Sequence, residues 1–451
     1  MAETIYSHYF LVGALNGHIT PNLLSGKWEK VNNADEYAWI CSMYNQGHVD
    51  AMLDVNEKRP SFLKDVSHYR LNYKQGDKLG RKISLERMKK NMGKDEFTYH
   101  FNLLGFHLYF FPLSIVLFAI EIDDSGTELE ELTAAHNAMT QTYTYKREEL
   151  QSELTPIKDF LSSDDPSVLL GIGNKFKLYQ VIQLESETLK DSLLYELGTS
   201  SPIGCVGTQH SLAPSQAYYN SIMNNNVVSA FSDWKGLALM DSFTMISNAT
   251  KREDWTWERH FHLWNNHYFQ LIYLRCMLEK TFCSSRNTHY RMTEDSLDIS
   301  EEIKNMERYY FYEKISHNFL PNLIYKAMSI GLELKEEREE LSKQVKERAE
   351  EERKSRKEKE ERDVEEKKLE DEKRKENEEI RFNRILAGVS VFAVISVIWD
   401  FCSIVKDAFG FDQNNPWGAW LARGFIVMGL VLIVVLWNKI LLKKHEETNT
   451  N

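Results

Sequence analysis

One acidic side chain, Asp400, lies inside a long apolar stretch near the end of the chain. Ser396 precedes it and Ser403 and Asp407 follow, at spacings of four, three and four residues, which put all four on one face of a helix. A carboxylate within an apolar helix is costly and normally faces water or a charged partner. The four residues therefore indicate a polar stripe that attracts cations. The alternative is that Asp400 lies near a membrane interface, or pairs with Arg423.

A second group combines aromatic rings with guanidinium groups between residues 251 and 260. Arg252, Trp255, Trp257 and Arg259 are of the types that bind an adenine ring by stacking and a phosphate by charge. They are the candidate ligand-binding residues. A purely structural amphipathic helix would explain the same residues.

Motifs for metal binding and catalysis are weak or absent. His260, His262 and His267 lack a carboxylate or cysteine at a known metal-binding spacing, so we assign no zinc site. The sequence Gly171-Ile-Gly173 lacks the third glycine of a dinucleotide fingerprint, and the P-loop, HExxH and GxSxG motifs do not occur. An enzyme is therefore the less favoured class, and we expect no cofactor.

Composition bounds the class of protein. The chain has 451 residues, 42% of them hydrophobic, with a formal net charge of −12. The length allows about three domains. The acidic balance argues against direct nucleic-acid binding, which needs a surplus of Lys and Arg. The odd number of cysteines without a CxxC pair fits a reducing compartment, and the first ten residues lack the pattern of a secretory signal.

The densest apolar run of the N-terminal half, Leu103 to Ile122, is close to membrane-spanning length. We interpret it as two strands rather than a membrane helix, because Pro112 and Ser114 interrupt it and acidic residues follow at once. Next, Ser125 to Glu128 has the spacing of a helix capping box, and a helical pattern continues to about Met139. Two strands and a helix indicate an α/β domain.

Further strands are predicted between Val227 and Ile246, about a turn at Trp234 to Gly236. From Trp255 the pattern changes to helices rich in aromatic residues. We therefore predict a boundary between an α/β part and a helical part near residue 250.

A charged segment without glycine or proline runs between Gly331 and Gly388. Opposite charges four residues apart support a helix, and about 48 residues at roughly 1.5 Å each would make a rod on the order of 70 Å long. We interpret it as a stalk, because no helix breaker separates it from the apolar run that follows. The alternative is a solvated single helix or a disordered linker.

Two apolar runs, Ile385–Val405 and Ala419–Leu442, each approach the roughly 20 residues that span a bilayer. Basic residues precede the first run and follow the second, whereas between them there are only Lys406 in the loop and Arg423 near the start of the second run. We expect a multi-pass hairpin in a bacterial inner membrane, with both termini in the cytoplasm.

The predicted fold class is an α/β cytosolic domain followed by a helical region, a long charged helical stalk and two C-terminal transmembrane helices. The segments are 1–250 (α/β domain), 251–330 (helical region), 331–384 (stalk), 385–405 (first transmembrane helix), 406–418 (periplasmic loop), 419–442 (second transmembrane helix) and 443–451 (cytosolic tail). Because one hairpin cannot enclose a pore, a pore-lining stripe would need several copies around an axis.

This layout resembles the CorA-like family of divalent cation channels. The stretches SAFSDWKGLALMDSF and HYFQLIYLRCMLEK are also similar to the divergent CorA-like branch associated with type III CRISPR systems. The resemblance implies a pentamer in a lipid bilayer, with Mg²⁺ as a candidate permeant ion. For that branch it implies a pore gated by a nucleotide second messenger, such as an adenylated S-adenosylmethionine, bound by the cytosolic domain.

This chain departs from the signature of that family. The family's Gly-Met-Asn follows the first membrane helix, and the equivalent place in this chain reads Phe409-Gly410-Phe411-Asp412. Carried over, Gly410, Phe411 and Asp412 would form the outer selectivity filter, with Asp412 replacing an asparagine. A ring of carboxylates would still favour cations, but the departure weighs against Mg²⁺ selectivity.

Three functions stay open on these grounds. The main hypothesis is an oligomeric cation channel whose cytosolic domain senses a ligand and whose stalk couples sensing to opening. The first alternative is a housekeeping Mg²⁺ or other divalent transporter that closes when cytosolic carboxylates fill with the ion. The second is a membrane-anchored scaffold without transport, which would tolerate Asp400→Ala or Asp412→Ala.

Overall fold

The structure is a computed structural model, and the chain forms two compact units, Met1–Arg348 and Ala349–Asn451. The residues that it describes are 4–15, 20–24, 28–72, 74–75, 78–79, 81–90, 95–140, 176–184, 188–248, 268–292, 299–408, 420–421, 423–424 and 426–435. We call the first unit the sheet domain.

A mixed sheet forms the centre of the sheet domain. The strands are β1 (Thr4–Ala14), β2 (Glu29–Lys30), β3 (Ser67–Asn72), β4 (Lys74–Gln75), β5 (Lys78–Leu79), β6 (Arg81–Lys89), β7 (Glu96–Phe111), β8 (Ile115–Asp123), β9 (Lys177–Leu184), β10 (Val227–Val228), β11 (Trp234–Ala238) and β12 (Ser242–Asn248). In the described residues the order across the sheet is β10-β11-β12-β9-β1-β8-β7-β3-β2, with β6 also paired to β7 and with β4–β5 as a separate hairpin. Among the strand pairs of the described residues, β9 and β12 run parallel and the others are antiparallel.

The apolar run from Leu103 to Ile122 does form two strands, as predicted. It supplies most of β7 and β8, which pair from Asn102 with Asp123 to Phe111 with Ile115. A single 3-10 turn at Pro112–Ser114 reverses the chain, and Leu113 and Ser114 both have positive φ there. Every apolar residue of β8 is buried, since both faces of the sheet are covered.

The helices lie between and after these strands. They are α1 (Asn33–Glu36), α2 (Ala38–Cys41), α3 (Gln46–Met52), α4 (Leu129–Thr140), α5 (Asp191–Thr199), α6 (Gln216–Asn225), α7 (Phe269–Met292), α8 (Ser300–Tyr309), α9 (Phe319–Gly331), α10 (Leu334–Ala408) and α11 (Ile426–Val435).

Alternation along β1 separates two cores. Phe10 and Val12 belong to a cluster that includes residues of α7 and α9, whereas Tyr9 and Leu11 belong to a cluster that includes Met139 of α4. A smaller third cluster joins α5 to β9 and β12. Helices therefore cover both faces of the sheet, which makes the domain three layers thick.

The predicted turn at Trp234 to Gly236 is wrong. These residues begin β11, and the chain turns at residues 239–241, where Leu239 and Ser242 exchange backbone hydrogen bonds. Gly236 is required for close packing, because a Cβ there would lie 2.8 Å from Cγ1 of Val228. The prediction fails because a glycine inside a strand gives the same sequence signal as a glycine in a turn.

The capping box at Ser125 to Glu128 is also wrong, although the helix it preceded exists. The hydroxyl of Ser125 accepts the N–H of Ser7 at 3.0 Å and donates to Asp123 at 2.7 Å, and α4 begins only at Leu129. The N–H groups of Gly126 and Thr127 donate to the hydroxyl of Thr4. The N–H of Ser125, which a capping box would pair with Glu128, donates to Asp123 at 3.0 Å instead.

The charged segment and the first apolar run form one continuous helix, α10, of 75 residues, as the lack of a breaker predicted. By length and composition α10 is the one helix among the described residues that could cross a membrane, and none of its apolar window is buried. The second predicted span is described only in part, as the shorter apolar helix α11. Within the second unit α11 packs closely on α10, since a Cβ on Gly429 would lie 2.8 Å from Cδ1 of Ile398.

Candidate functional site

A cavity of about 700 Å³ opens in the sheet domain. The last turns of α4, α5, α6 and α9, the β11–β12 turn and the first turn of α10 all contribute to its wall. Small-molecule sites in proteins have volumes of roughly 300–1,000 Å³. The cavity is therefore large enough for a ligand of nucleotide size.

The end of α5 forms a polar part of this wall. Ser200 adopts the left-handed conformation with φ of 52°, and its N–H bonds to the carbonyls of Glu196 and Leu197. The hydroxyl of Ser242, on β12, donates to the carbonyl of Gly198. These bonds fix the α5 terminus on the sheet and leave the side chains of Thr199 and Ser200 at the cavity.

Helix α6 forms an outer wall that is only lightly attached. None of its residues is buried, although Tyr218, Ile222 and Asn225 line the cavity. Ser215 caps its first turn by accepting the N–H of Tyr218 at 3.3 Å. At its end Asn226 is tied to Ala238 by two hydrogen bonds, of 2.8 and 3.0 Å. An element with so little buried area opens at low free-energy cost.

The junction between α9 and α10 closes another side of the cavity. Gly331 ends α9 against β11, and a Cβ there would lie 2.5 Å from the carbonyl carbon and oxygen of Ala238. Glu333 has φ of 56°, which a non-glycine residue rarely adopts, and it separates the two helices. Glu333 and Glu336 both line the cavity.

The opposite side of the same helical turn is bonded to α7. Lys280 donates to the carbonyl of Leu332 at 2.7 Å and pairs with Glu337 at 3.5 Å. Arg338 pairs with Glu279 and donates to the hydroxyl of Tyr325 at 3.1 Å. The first turn of α10 therefore contacts the cavity on one side and a charged cluster on the other.

Glu279 is the centre of that cluster. Its carboxylate is fully buried and lies between Arg338 and the fully buried Arg275, whose Nε is 3.1 Å away. Burial, and then the charge of Glu279, raise the pKa of Tyr325, whose hydroxyl donates to this carboxylate at 3.1 Å. Removing one partner of such a buried pair leaves an uncompensated charge, so the cluster holds the start of α10 firmly.

His48 completes the surroundings of Arg275. Nη1 of Arg275 donates to Nδ1 of His48 at 3.2 Å, so the imidazole must be neutral with its proton on Nε2. Burial, and then the charge of Arg275, hold the pKa of His48 well below its ordinary value.

A row of buried histidines crosses the sheet separately. His8 and His107 approach the two oxygens of Glu121 at 3.0 and 2.9 Å, and His68 contacts His107 at 3.0 Å. Burial would raise the pKa of Glu121, but the hydrogen bonds from His107 and His8 hold it well below its usual range. No described residue of this row lines the cavity, and the described residues contain no group of three or more His, Cys, Asp or Glu that could hold a metal ion.

The predicted polar stripe lies on α10. Ser396, Asp400, Ser403 and Asp407 are all exposed, and their helical spacing puts them on one face. Ser403 also borders a groove of about 380 Å³ between α10 and α11. Exposed apolar side chains cover the rest of this part of α10, including Phe392 and Trp399.

Several predicted site residues lie outside the described residues. They are Arg252, Trp255, Trp257 and Arg259 of the aromatic and basic cluster, the histidines His260, His262 and His267, and Gly410, Phe411 and Asp412 of the expected filter. The roles expected of these residues therefore stay predictions.

Sequence reasoning missed the cavity altogether. Its wall joins residues from Asn137 to Glu336, and no local spacing marks them as neighbours. The one available signal was Gly331, which ends an apolar helix just before the charged segment and marks a junction.

No protein-family model, curated protein or solved structure matches the chain. The chain therefore consists of an α/β sheet domain followed by a long helix whose apolar end has membrane-spanning length.

Proposed function

We propose that this chain is a subunit of a CorA-like, homo-oligomeric cation channel in a bacterial inner membrane, gated by a ligand in the cavity of the sheet domain. One observation carries the proposal. The first turn of α10 forms part of the wall of a ligand-sized cavity, and the same helix continues without a break into the apolar segment that contains Asp400.

The two-sided first turn of α10 suggests how binding acts on the helix. A ligand in the cavity contacts Glu333 and Glu336, whereas Lys280 and Glu279 hold the opposite side of the turn at Glu337 and Arg338. Binding shifts the balance between two positions of this turn if the ligand prefers one of them. The continuous helix then carries the change along its length.

The pore is the second part of the proposal. Several copies of α10, a pentamer by the family resemblance, would bring Ser396, Asp400, Ser403 and Asp407 into rings around an axis. A second transmembrane helix over 419–442 would leave both termini in the cytoplasm. Gly410 to Asp412 would then form the outer filter.

The CRISPR-associated resemblance supplies a candidate ligand, a nucleotide second messenger of the adenylated S-adenosylmethionine type, and a role in antiviral defence. Arg252, Trp255, Trp257 and Arg259 are of suitable chemistry to contribute to its binding.

Ion flux into liposomes that contain the purified full-length protein tests the proposal. We expect cation flux that depends on the candidate messenger and falls at least tenfold in Asp400→Ala. Ser390→Ala is the matched control, because Ser390 is an exposed serine of α10 that lies off the stripe. Its flux should equal that of the wild type.

Other outcomes identify the alternatives. Flux that internal Mg²⁺ blocks, and that no messenger changes, would identify a divalent transporter. Absence of flux under every condition, with correct membrane insertion, would leave a membrane-anchored scaffold.

A further inference from the structure

We infer that the cavity of the sheet domain takes an organic cation, or the cationic end of a larger ligand. The inference rests on the proposed role of this cavity as the ligand site. Its test uses no ion flux, so it can fail while the channel proposal stands.

The first observation is the convergence of three helix C-termini, those of α4, α5 and α9. Residues from the last turns of α4, α5, α6 and α9 line the cavity, for example Thr140, Thr199, Asn225 and Gly331. The C-terminus of a helix carries roughly half a negative charge from its aligned peptide dipoles. Helices α4, α5 and α9 have nine residues or more, so each contributes a developed dipole, whereas α6 lines the cavity from Tyr218 to Asn225 and its two ends offset each other.

The second observation is the set of charged side chains. Asp241, Glu333 and Glu336 line the cavity, and the described lining residues include no Lys or Arg. Asp241 is paired with Lys177, which offsets one of the three carboxylates. Two N-terminal helix turns also line the cavity, that of α6 at Tyr218 and that of α10 at Glu336, and Glu333 and Glu336 offset the positive end of α10.

Both sources of charge have the same sign, and one does not depend on the other. A phosphate group would meet the negative ends of α4, α5 and α9 and find no described basic partner in the lining. An ammonium or sulfonium group would be stabilised by these helix ends and by the carboxylates. A nucleotide messenger must therefore carry a positive charge on the part that enters here.

The rest of the wall suits a polar body of no net charge. Asn137 and Asn225 offer amides, and the ring of Tyr218 and the side chain of Met240 offer apolar contact. Such groups fix orientation by hydrogen bonds and stacking and leave the carboxylates to recognise the charge.

Charged thiol reagents measure the potential at the cavity directly. Cysteine is introduced at the exposed rim residue Met240, in full-length protein in which the two partly exposed cysteines, Cys41 and Cys402, are changed to serine. The rates of modification by a trimethylammonium and by a sulfonate methanethiosulfonate are compared. Leu212→Cys, at an exposed residue that does not line the cavity, is the control site, and Asn225→Cys is a second cavity site.

We expect the ratio of cation rate to anion rate at Met240→Cys to exceed that at Leu212→Cys by tenfold or more. Adding Glu333→Gln and Glu336→Gln should lower the ratio at least threefold, while Glu339→Gln, an exposed glutamate of α10 outside the cavity, should leave it unchanged. A ratio at both cavity sites no higher than at the control site would overturn the inference. So would a ratio that the two substitutions do not lower.

Discussion

At the scale of single residues, Glu279 joins α7 to the start of α10 through its ion pair with Arg338. Its carboxylate lies between Arg275 and Arg338 and is fully buried. We expect Glu279→Gln to lower the free energy of unfolding of the sheet domain by about 3–5 kcal/mol, because two guanidinium groups lose their counter-charge. Urea denaturation of the full-length protein in detergent, followed by intrinsic fluorescence, measures this.

The control for that change is Glu339→Gln, on the exposed side of α10, where the carboxylate makes only a surface ion pair with Lys335. It should alter the unfolding midpoint very little. An equal effect of the two substitutions would mean that the buried cluster does not stabilise the start of α10.

His48 predicts a specific dependence of stability on pH. Its pKa is lowered in the folded state, from an ordinary value of 6.5, so the unfolded state binds more protons between the two pKa values. Its contribution to stability is therefore complete above pH 6.5 and is lost as pH falls below it. We expect His48→Gln, which keeps an acceptor for Arg275, to flatten the loss of stability below pH 6.5. Unfolding midpoints from pH 8 to pH 5 would contradict this if both proteins lose stability equally.

The placement of single residues was predictable from the sequence only where it depends on local spacing. The stripe of Ser396, Asp400, Ser403 and Asp407 follows from helical spacing alone, and all four residues lie on a helix. Glu279 and Arg338 are 59 residues apart and meet only through the packing of α7 against the start of α10. No spacing rule relates such a pair.

At the scale of elements, the end of α9 fits β11 so closely that any side chain at position 331 forces the backbone to shift. We expect Gly331→Ala to destabilise the sheet domain by about 1–3 kcal/mol, because its Cβ would overlap backbone atoms of Ala238 that cannot move independently. The matched change is Gly388→Ala on α10, where nothing lies within 4 Å of the added atom. Urea midpoints should fall only for the first, and a fall for both would refute the packing explanation.

The elements also show where sequence signals compete. Pro112 and Ser114 marked a chain reversal correctly, and the absence of a breaker marked α10 correctly. The turn predicted from Gly236 and the capping box predicted from Ser125 were both wrong, because Gly236 packs against Val228 and Ser125 bonds to Ser7. Glycine and serine have both local and tertiary uses, and a single sequence does not tell them apart.

At the scale of the whole molecule, the polar stripe and the apolar surface around it require an environment that one copy of the chain does not supply. Phe392, Val397 and Trp399 are more than two-thirds exposed, while Asp400 is exposed among them. Lipid would satisfy the apolar side chains, and only water or other copies of the stripe would satisfy the carboxylate. We expect the protein in detergent to be an oligomer, which light scattering would measure, and a monomer at micromolar concentration would contradict the pore.

The central claim is that the cavity of the sheet domain controls conduction. It is tested most directly by attaching a bulky cationic thiol reagent to Met240→Cys in liposomes and recording cation flux before attachment, after it, and after release by a reductant. We predict a reversible change in flux of several-fold, with none when the same reagent is attached at Leu212→Cys. Complete attachment at residue 240 with unchanged flux would contradict the account.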